Sequence, residues 1–206
     1  MKGNLIIISS PSGGGKGTLI REILNMVPQL AYSVSLTTRA PRSGEEEGKH
    51  YHFVSKEEFE AYKEKGGFLE FAEVHGNFYG TSKEQIDRLT EAGMDVVLEI
   101  DVQGAASVLE AVSEAVSIFI LPPSFEVLQA RLTARATEDR KDLELRLTNS
   151  FSEVLQYSLF TYVVVNDELS SASRKLAAII LAERQRPHRQ QELIQGILGS
   201  FEKARL

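Results

Sequence analysis

The sequence predicts an α/β fold, in which a central parallel β-sheet is flanked by helices on both faces. Several short, continuous apolar runs are bounded by polar or glycine-rich sequence, which is typical of strands buried on both faces. Segments with apolar residues at helical spacing separate these runs. Strands that alternate with helices in this way favour a parallel sheet with helical crossovers.

The elements follow one another in a simple order. A first strand is predicted at residues 5–8, directly before a glycine-rich loop, and the apolar residues of a helix follow at residues 19–27. Further strands are predicted at residues 96–100, 117–121 and 162–165, and a last amphipathic helix at residues 172–183. Each predicted strand is separated from the next by helical sequence, as a parallel sheet requires.

Two segments interrupt this alternation. Residues 35–90 contain an acidic turn, mixed aromatic residues and glycine breaks, and we interpret them as an inserted subdomain. A charged helical stretch, residues 126–148, is predicted as a second insertion. The expected organisation is therefore a single domain over residues 1–206, with its core formed by residues 1–34, 91–125 and 149–206.

Composition excludes several functions. The formal charge of -6 over 206 residues argues against broad binding to nucleic acid or to an anionic membrane. The absence of cysteine excludes disulfides, thiolate zinc sites and a cysteine nucleophile. The apolar run near the N-terminus is too short to span a membrane and leads directly into the glycine loop, so we expect a cytoplasmic protein without a signal peptide.

Residues 10–18 read SPSGGGKGT between a predicted strand and a predicted helix, which is the context of a phosphate-binding P-loop. Glycines allow backbone N–H groups to face phosphate oxygens, and Lys16 adds a full positive charge. The alternative is a flexible glycine turn with an exposed lysine. The candidate ATP-binding residues are Pro11, Ser12, Gly13, Gly14, Gly15, Lys16, Gly17 and Thr18.

Two residues depart from the usual GxxxxGK[ST] pattern. Ser10 stands at the first glycine, and Gly17 stands where a hydroxyl group normally binds magnesium, although Thr18 offers a hydroxyl one residue later. The GKGT run resembles the loop of adenylate kinases. The loop therefore indicates a nucleotide kinase and leaves the identity of the acceptor base open.

Three longer motifs make the resemblance more specific. The segment SVSLTTRAPRSGEEEGKHYHF at residues 33–53 resembles the GMP-binding region of guanylate kinases, as do FLEFAEVHGNFYGTS at 68–82 and LEIDVQGA at 98–105. The resemblance extends to VVND at residues 164–167. It implies a P-loop kinase fold in which residues 35–90 form a GMP-binding subdomain and residues 126–148 form a helical lid.

The same resemblance implies roles for individual residues. The GMP phosphate would be held by Arg39, Arg42, Tyr51 and Tyr79, since a dianionic phosphate suits arginine forks and hydroxyl donors. The guanine base would be read by Glu70, with Ser35, Thr81 and Glu99 nearby. Each arginine or acid taken alone could equally be a solvated surface residue.

The remaining implied roles concern the phosphates of ATP. Asp101 follows a buried strand and would contact magnesium, through water, at the carboxyl edge of the sheet. Charge on the transferred phosphoryl group would be stabilised by a set of cations, namely Lys16, Arg39, Arg42, Arg131, Arg135 and Arg146. The expected co-substrates are ATP with Mg²⁺, and GMP.

Two other functions stay open at this point. Another nucleoside monophosphate kinase is suggested by GKGT and would phosphorylate AMP or a pyrimidine nucleotide. A non-catalytic guanylate-kinase-like module that binds phosphopeptides is the second alternative, although such modules usually lack an intact P-loop. The partly amphipathic tail, residues 184–206, could add a packed helix or support a homo-oligomer.

Overall fold

The computed structural model describes residues 1–74, 76–134 and 140–204. Its β-strands are β1 (Leu5–Ser9), β2 (Leu30–Tyr32), β3 (Leu36–Thr37), β4 (His52–Phe53), β5 (Phe68–Val74), β6 (Asn77–Ser82), β7 (Asp95–Glu99), β8 (Val116–Leu121) and β9 (Tyr162–Val165). Its α-helices are α1 (Lys16–Met26), α2 (Lys56–Glu64), α3 (Lys83–Glu91), α4 (Val102–Ala111), α5 (Phe125–Ala134), α6 (Arg140–Val154), α7 (Leu169–Glu183) and α8 (Gln191–Ala204).

The central sheet has five strands in the order β2-β7-β1-β8-β9, and every neighbouring pair is parallel. The four strands predicted from apolar runs are confirmed as β1, β7, β8 and β9. The edge strand β2 was not predicted, because three residues are too short to show a pattern. The predicted α/β class is confirmed.

Alternation along β1 divides the core into two layers. Ile6 and Ile8 face one side and join a buried cluster with residues of α1 and α7. Leu5 and Ile7 face the other side and pack with residues of α3 and α4. Successive strand residues point to opposite faces, so a strand that is apolar throughout needs helices on both sides.

A second sheet of four strands, ordered β4-β3-β6-β5, lies within residues 35–90. Its core is aromatic, since the ring of Phe59 stacks on Phe68 at 4.4 Å and on Phe78 at 5.4 Å. The register of the β5–β6 pair shifts between Phe68 and Glu70, after which Glu70 pairs with Thr81. An irregularity of this kind re-aims a side chain, and here it sets the direction of Glu70.

Loops at the carboxyl ends of β1 and β7 meet at one edge of the central sheet. The P-loop follows β1, and Asp101 follows β7 as the N-cap of α4. Open α/β sheets bind ligands at this edge. Within the three described ranges, no helix is both long enough and apolar enough to cross a bilayer.

Candidate active site

The P-loop joins β1 to α1 through two residues in the left-handed region, Gly13 at φ 84° and Gly15 at φ 89°. Glycine is required at both, since a Cβ on Gly13 would lie 2.9 Å from Leu132 and a Cβ on Gly15 would lie 2.4 Å from the Asn166 amide. Helix α1 has no side-chain cap at its start. Its first N–H groups and its dipole therefore suit an anion.

Lys16 lies at the start of α1, and its side chain reaches the residue that follows β7. Its Nζ donates a hydrogen bond to the Ile100 carbonyl oxygen at 2.8 Å. Burial lowers the pKa of the Lys16 ammonium group, and the carboxylates of Glu99, Asp101 and Glu153 oppose that shift. The lysine thus donates to one backbone oxygen and is acted on electrostatically by three carboxylates.

Glu99 and Asp101 lie at different places around this lysine. Glu99 Oε2 accepts a hydrogen bond from the Tyr32 hydroxyl at 3.2 Å, and its Oε1 would be 3.3 Å from a Cβ on Gly17. Asp101 Oδ1 accepts from the Gly104 N–H at 2.8 Å and so caps α4. Glu99 therefore lies against the P-loop, whereas Asp101 is fixed at the first turn of the next helix.

Glu70 reaches this helix from the second sheet. Thr81 Oγ1 donates to Glu70 Oε1 at 2.6 Å, and a Cβ on Gly104 would be 3.3 Å from both Glu70 Oε2 and Asp101 Oδ1. Burial raises the pKa of the Glu70 carboxyl group, the Thr81 hydrogen bond opposes this shift, and the charge of Asp101 adds to it. The absence of a side chain at Gly104 lets the two carboxylates approach the same turn of α4.

Side chains suited to binding a phosphate lie around Arg39. The Arg39 guanidinium lies 5.4 Å from the ring centre of Tyr51, and the rings of Tyr51 and Tyr79 are 5.8 Å apart. Arg39 donates to Glu45 Oε1 at 2.8 Å, and Arg39 with the Arg42 N–H lowers the pKa of Glu45 to about 2. The structure brings Arg39, Tyr51 and Tyr79 together.

Arg42 and Ser35 join this group less directly. The side chain of Arg42 is exposed, and its backbone N–H donates to Glu45 Oε2 at 2.7 Å. Ser35 directly precedes β3. Leu36 of β3 pairs with Gly80 of the antiparallel strand β6, so the register continues to Ser35 opposite Thr81. The structure therefore places both residues beside the expected site, Arg42 through its backbone and Ser35 through the strand register.

Two of the three predicted lid arginines contact the P-loop region. Arg131 donates from Nη2 to the Asn166 carbonyl oxygen at 2.9 Å, while its Nη1 is buried without a hydrogen-bond partner in the described part of the chain. Arg146 donates to the Ser12 hydroxyl from Nε at 3.1 Å and from Nη2 at 2.9 Å. Arg135 lies outside the described residues.

One cavity of about 820 Å³ lies beside the P-loop. Its lining includes the P-loop, the three carboxylates that act on Lys16, Tyr51 just before β4 and Arg146 of α6. Pockets of 300–1,000 Å³ with a few converging polar groups are typical of small-molecule sites. The sequence analysis expects the P-loop, Tyr51 and Arg146 beside phosphates, Asp101 at magnesium and Glu99 near the guanine base, and all of them border this one space.

Sequence reasoning missed two residues of this region. Asn166 donates from Nδ2 to the Gly14 carbonyl oxygen at 3.0 Å, and Glu153 accepts from the Ser12 N–H at 3.0 Å. Asn166 belongs to the VVND motif, to which the sequence alone assigns no role. Glu153 follows Arg146 by seven residues and therefore shares its helix face, a spacing that could have drawn attention to it.

Comparison with known proteins gives a consistent result. The guanylate kinase family model matches residues 2–183. The guanylate kinase of Neisseria meningitidis is 53% identical over 197 residues, covering 96% of each chain. The guanylate kinase of Vibrio parahaemolyticus is 47% identical over 202 residues, covering 97% of this chain and 98% of the relative.

A solved structure supports the same relationship. The crystal structure of guanylate kinase from Anaplasma phagocytophilum superposes with a TM-score of 0.77 at 34% sequence identity, covering 95% of each chain. The family model, the relatives and the fold thus agree over nearly the full length. This chain belongs to the guanylate kinase family.

Proposed function

We propose that the protein transfers a phosphoryl group from ATP to GMP, producing GDP and ADP, and that dGMP is also an acceptor. The observation that carries this proposal is the position of Glu70. Its carboxylate, bound by Thr81, meets the same turn of α4 as Asp101, next to the cavity that contains the P-loop lysine. The proposed guanine-binding carboxylate and the proposed phosphate-binding loop would therefore lie at the same edge of the central sheet.

Glu70 explains the choice of guanine in this proposal. Guanine presents N1–H and an exocyclic amine on one edge, and an ionised carboxylate accepts hydrogen bonds from both. Adenine has an acceptor at N1, which would face a carboxylate lone pair. Thr81 donates to this carboxylate, and we propose that Ser35 also contributes to the base site. Glu99, which acts electrostatically on Tyr51, completes the proposed GMP-binding set.

The acceptor phosphate would lie at Arg39, Arg42, Tyr51 and Tyr79. In the free protein Arg39 is paired with Glu45, so we expect the phosphate of GMP to replace or share that partner. The second pKa of a phosphate monoester is about 6, so the attacking oxygen is already ionised at neutral pH. No general base is needed, and positioning with charge stabilisation carries the catalysis.

The donor phosphates would lie along residues Pro11, Ser12, Gly13, Gly14, Gly15, Lys16, Gly17 and Thr18. Lys16, Arg131 and Arg146 would neutralise charge on the moving group, and we propose the same role for Arg135. The buried Nη1 of Arg131, with no partner in the described residues, supports this role, because an unsatisfied donor beside the loop favours an incoming anion.

Magnesium, when it accompanies ATP, neutralises phosphate charge during the transfer. Three carboxylates, Glu99, Asp101 and Glu153, line the cavity beside the P-loop, and oxygen ligands of this kind fit an ion held mainly by phosphates and water. No group of three or more acidic or histidine side chains that could hold a metal unaided occurs in residues 1–74, 76–134 and 140–204. We propose Asp101 as the contact, through water, and Glu99 beside Gly17 is the nearest rival carboxylate.

One assay separates the alternatives. ADP release should be measured with GMP, dGMP, AMP, CMP and UMP as acceptors, with Lys16→Met as the inactive control. We expect turnover with GMP and dGMP only, and a loss of about a hundredfold or more in kcat for Lys16→Met. Preference for AMP or a pyrimidine nucleotide would favour another monophosphate kinase, and no turnover would favour a binding module.

The finer organisation is also a proposal. We assign GMP binding to residues 35–90, a lid to residues 126–148 and the core to the remainder, in a cytoplasmic enzyme. Helix α8 leaves five large apolar side chains exposed, namely Leu193, Ile194, Ile197, Leu198 and Phe201. This face supports a homo-oligomer, which sedimentation velocity of the full chain would detect.

A further inference from the structure

Helix α6 contacts the P-loop at Ser12 and approaches all the polar groups of that residue. The Ser12 N–H donates to Glu153 Oε2 at 3.0 Å. The Ser12 hydroxyl accepts from Arg146 at 2.9 and 3.1 Å. The Ser12 carbonyl oxygen lies 3.4 Å from the hydroxyl of Ser150, which is fully buried.

The three residues of α6 lie on one face of the helix. Positions 146, 150 and 153 are spaced i, i+4 and i+7, which places them on one stripe. Ser150 also donates to the Arg146 carbonyl oxygen at 2.7 Å within the helix. Several side chains of one helix face thus contact the same loop residue. We call Ser12, Arg146, Ser150 and Glu153 together the Ser12 latch.

The charge of Glu153 makes its position informative. It is one of three carboxylates that act on Lys16, and it lines the cavity that contains the P-loop. A carboxylate near the expected triphosphate repels it, so this residue carries an electrostatic cost for ATP binding. Its hydrogen bond is made at Ser12, four residues before α1 begins, and leaves the N–H groups at the start of that helix to the phosphates.

We propose that Glu153 is a positioning residue for phosphoryl transfer, which rests on the kinase function proposed above. By holding the Ser12 N–H, Glu153 fixes the Ser12 hydroxyl as the acceptor for Arg146. The guanidinium group is then aimed across the cavity that Lys16 also lines. Glu153 does not itself touch the reacting atoms in this proposal, and it acts through Ser12 and Arg146.

The test compares Glu153→Ala with Glu153→Gln. Glutamine keeps an oxygen that can accept from the Ser12 N–H, whereas alanine removes the acceptor. We expect Glu153→Ala to lower kcat about five- to tenfold, with the KM for GMP within about twofold of the parent enzyme and the KM for ATP unchanged or lower, because a charge that repels the triphosphate is removed. Glu153→Gln should keep at least about half of the parent kcat. Ser152→Ala, on the exposed side of α6, is the matched control and should be unchanged.

A double-mutant cycle with Arg146→Ala tests whether Glu153 acts through Arg146. If it does, adding Glu153→Ala to Arg146→Ala should cost less than about twofold further. Independent, additive losses would overturn the proposal. So would a Gln variant as impaired as the Ala variant, or a loss confined to the KM for ATP.

A binding-independent measurement keeps this result separate from the kinase proposal. The hydrogen bond to a carboxylate should move the Ser12 amide proton downfield in NMR spectra of the free protein. Glu153→Ala should shift this resonance upfield, and Ser152→Ala should leave it in place. If the parent enzyme does not phosphorylate GMP, the kinase proposal fails. In that case an unshifted Ser12 resonance in Glu153→Ala would overturn the latch as well.

Discussion

At the scale of single residues, the role proposed for Glu70 would place recognition and stability in opposition at one carboxyl group. Burial raises the pKa of this carboxyl group, so its ionised form is disfavoured in the free protein. In the proposed function, the same ionised form accepts two N–H groups from guanine. The proposed site would therefore hold a charge in an unfavourable place, and the incoming base would supply the donors that compensate for it.

Replacing Glu70 by glutamine should impair GMP more than any other substrate. The variant retains one acceptor and places an NH₂ group against a guanine donor, so we expect a loss of roughly 1.5–3 kcal/mol, or about ten- to a hundredfold in kcat/KM for GMP. IMP lacks the exocyclic amine and should lose less. Initial rates for both acceptors at varied ATP check this. Equal losses for GMP and IMP, or a loss mainly in the KM for ATP, would contradict it.

The raised pKa of Glu70 also predicts a pH dependence. As the pH falls below neutrality, this carboxyl group should protonate at a higher pH than an ordinary glutamate, and its protonated form cannot accept both guanine donors. The kcat/KM for GMP should therefore fall. The phosphate of GMP titrates in the same region, with a pKa of about 6, but it does so equally in Glu70→Gln. The ratio of parent to variant kcat/KM should thus decline on acidification; a constant ratio would contradict the prediction.

At the scale of elements, the five residues 100–104 at the start of α4 have three structural roles. Asp101 caps the helix through the Gly104 N–H, Gly104 leaves room for two carboxylates, and the Ile100 carbonyl oxygen accepts from Lys16. A helix start serves these duties well, because its geometry is fixed by the strand before it and by the cap. A substitution at Asp101 must preserve the N-cap of α4, because otherwise a change in activity could result from loss of the helix start.

Asp101→Asn meets that condition, because asparagine is as good an N-cap as aspartate. If Asp101 contacts magnesium through water, the variant should need about threefold more Mg²⁺, or more, for half-maximal activity. Activity should stay dependent on Mg²⁺ in both proteins. Glu99→Gln is the comparison, since Glu99 lies against Gly17. An unchanged magnesium titration with a raised KM for GMP would instead place Asp101 at the guanine site beside Glu70.

The elements also show what could be predicted from the sequence. Buried strands and the P-loop are encoded locally, in apolar runs and in glycines beside a lysine, and β1, β7, β8 and β9 were found in this way. The contacts of Glu153 with Ser12 and of Asn166 with Gly14 join residues 141 and 152 positions apart. No local spacing encodes such pairs. The short edge strand β2 was missed because its pairing with β7, rather than its own pattern, defines it.

At the scale of the whole molecule, the two ends of the central sheet have different tasks. The carboxyl ends of β1 and β7 carry the candidate active site. At the opposite end, Asp95 is 3% exposed and joins three parts of the chain. It accepts from the Asn4 N–H at 2.6 Å and from Arg184 Nε at 2.6 Å, and Arg184 also donates to the Pro28 carbonyl oxygen at 2.8 Å. We expect this network to support stability and not catalysis.

Asp95→Asn tests that division. The substitution removes a buried charge and places an amide NH₂ group against the Arg184 guanidinium. Arg184 then lacks the carboxylate that neutralises it in the parent protein. Breaking a buried pair typically costs 3–5 kcal/mol, and because Arg184 is partly exposed we expect about 2–4 kcal/mol here. For a chain of this size, that loss corresponds to a fall in Tm of roughly 5–15 °C.

The control for this substitution is Glu60→Gln, which breaks the exposed pair of Glu60 with Lys63 on α2. An exposed pair contributes about 0–1 kcal/mol, so the Tm of this variant should barely change. Both variants should keep kcat for GMP within about twofold of the parent enzyme at 20 °C, because neither residue borders the site and a domain with 5–15 kcal/mol of stability stays folded after such a loss. Urea unfolding and initial rates on the same preparations measure the two effects separately. A large fall in kcat for Asp95→Asn while the protein is still folded would show that the amino-terminal end of the sheet also determines the geometry of the active site.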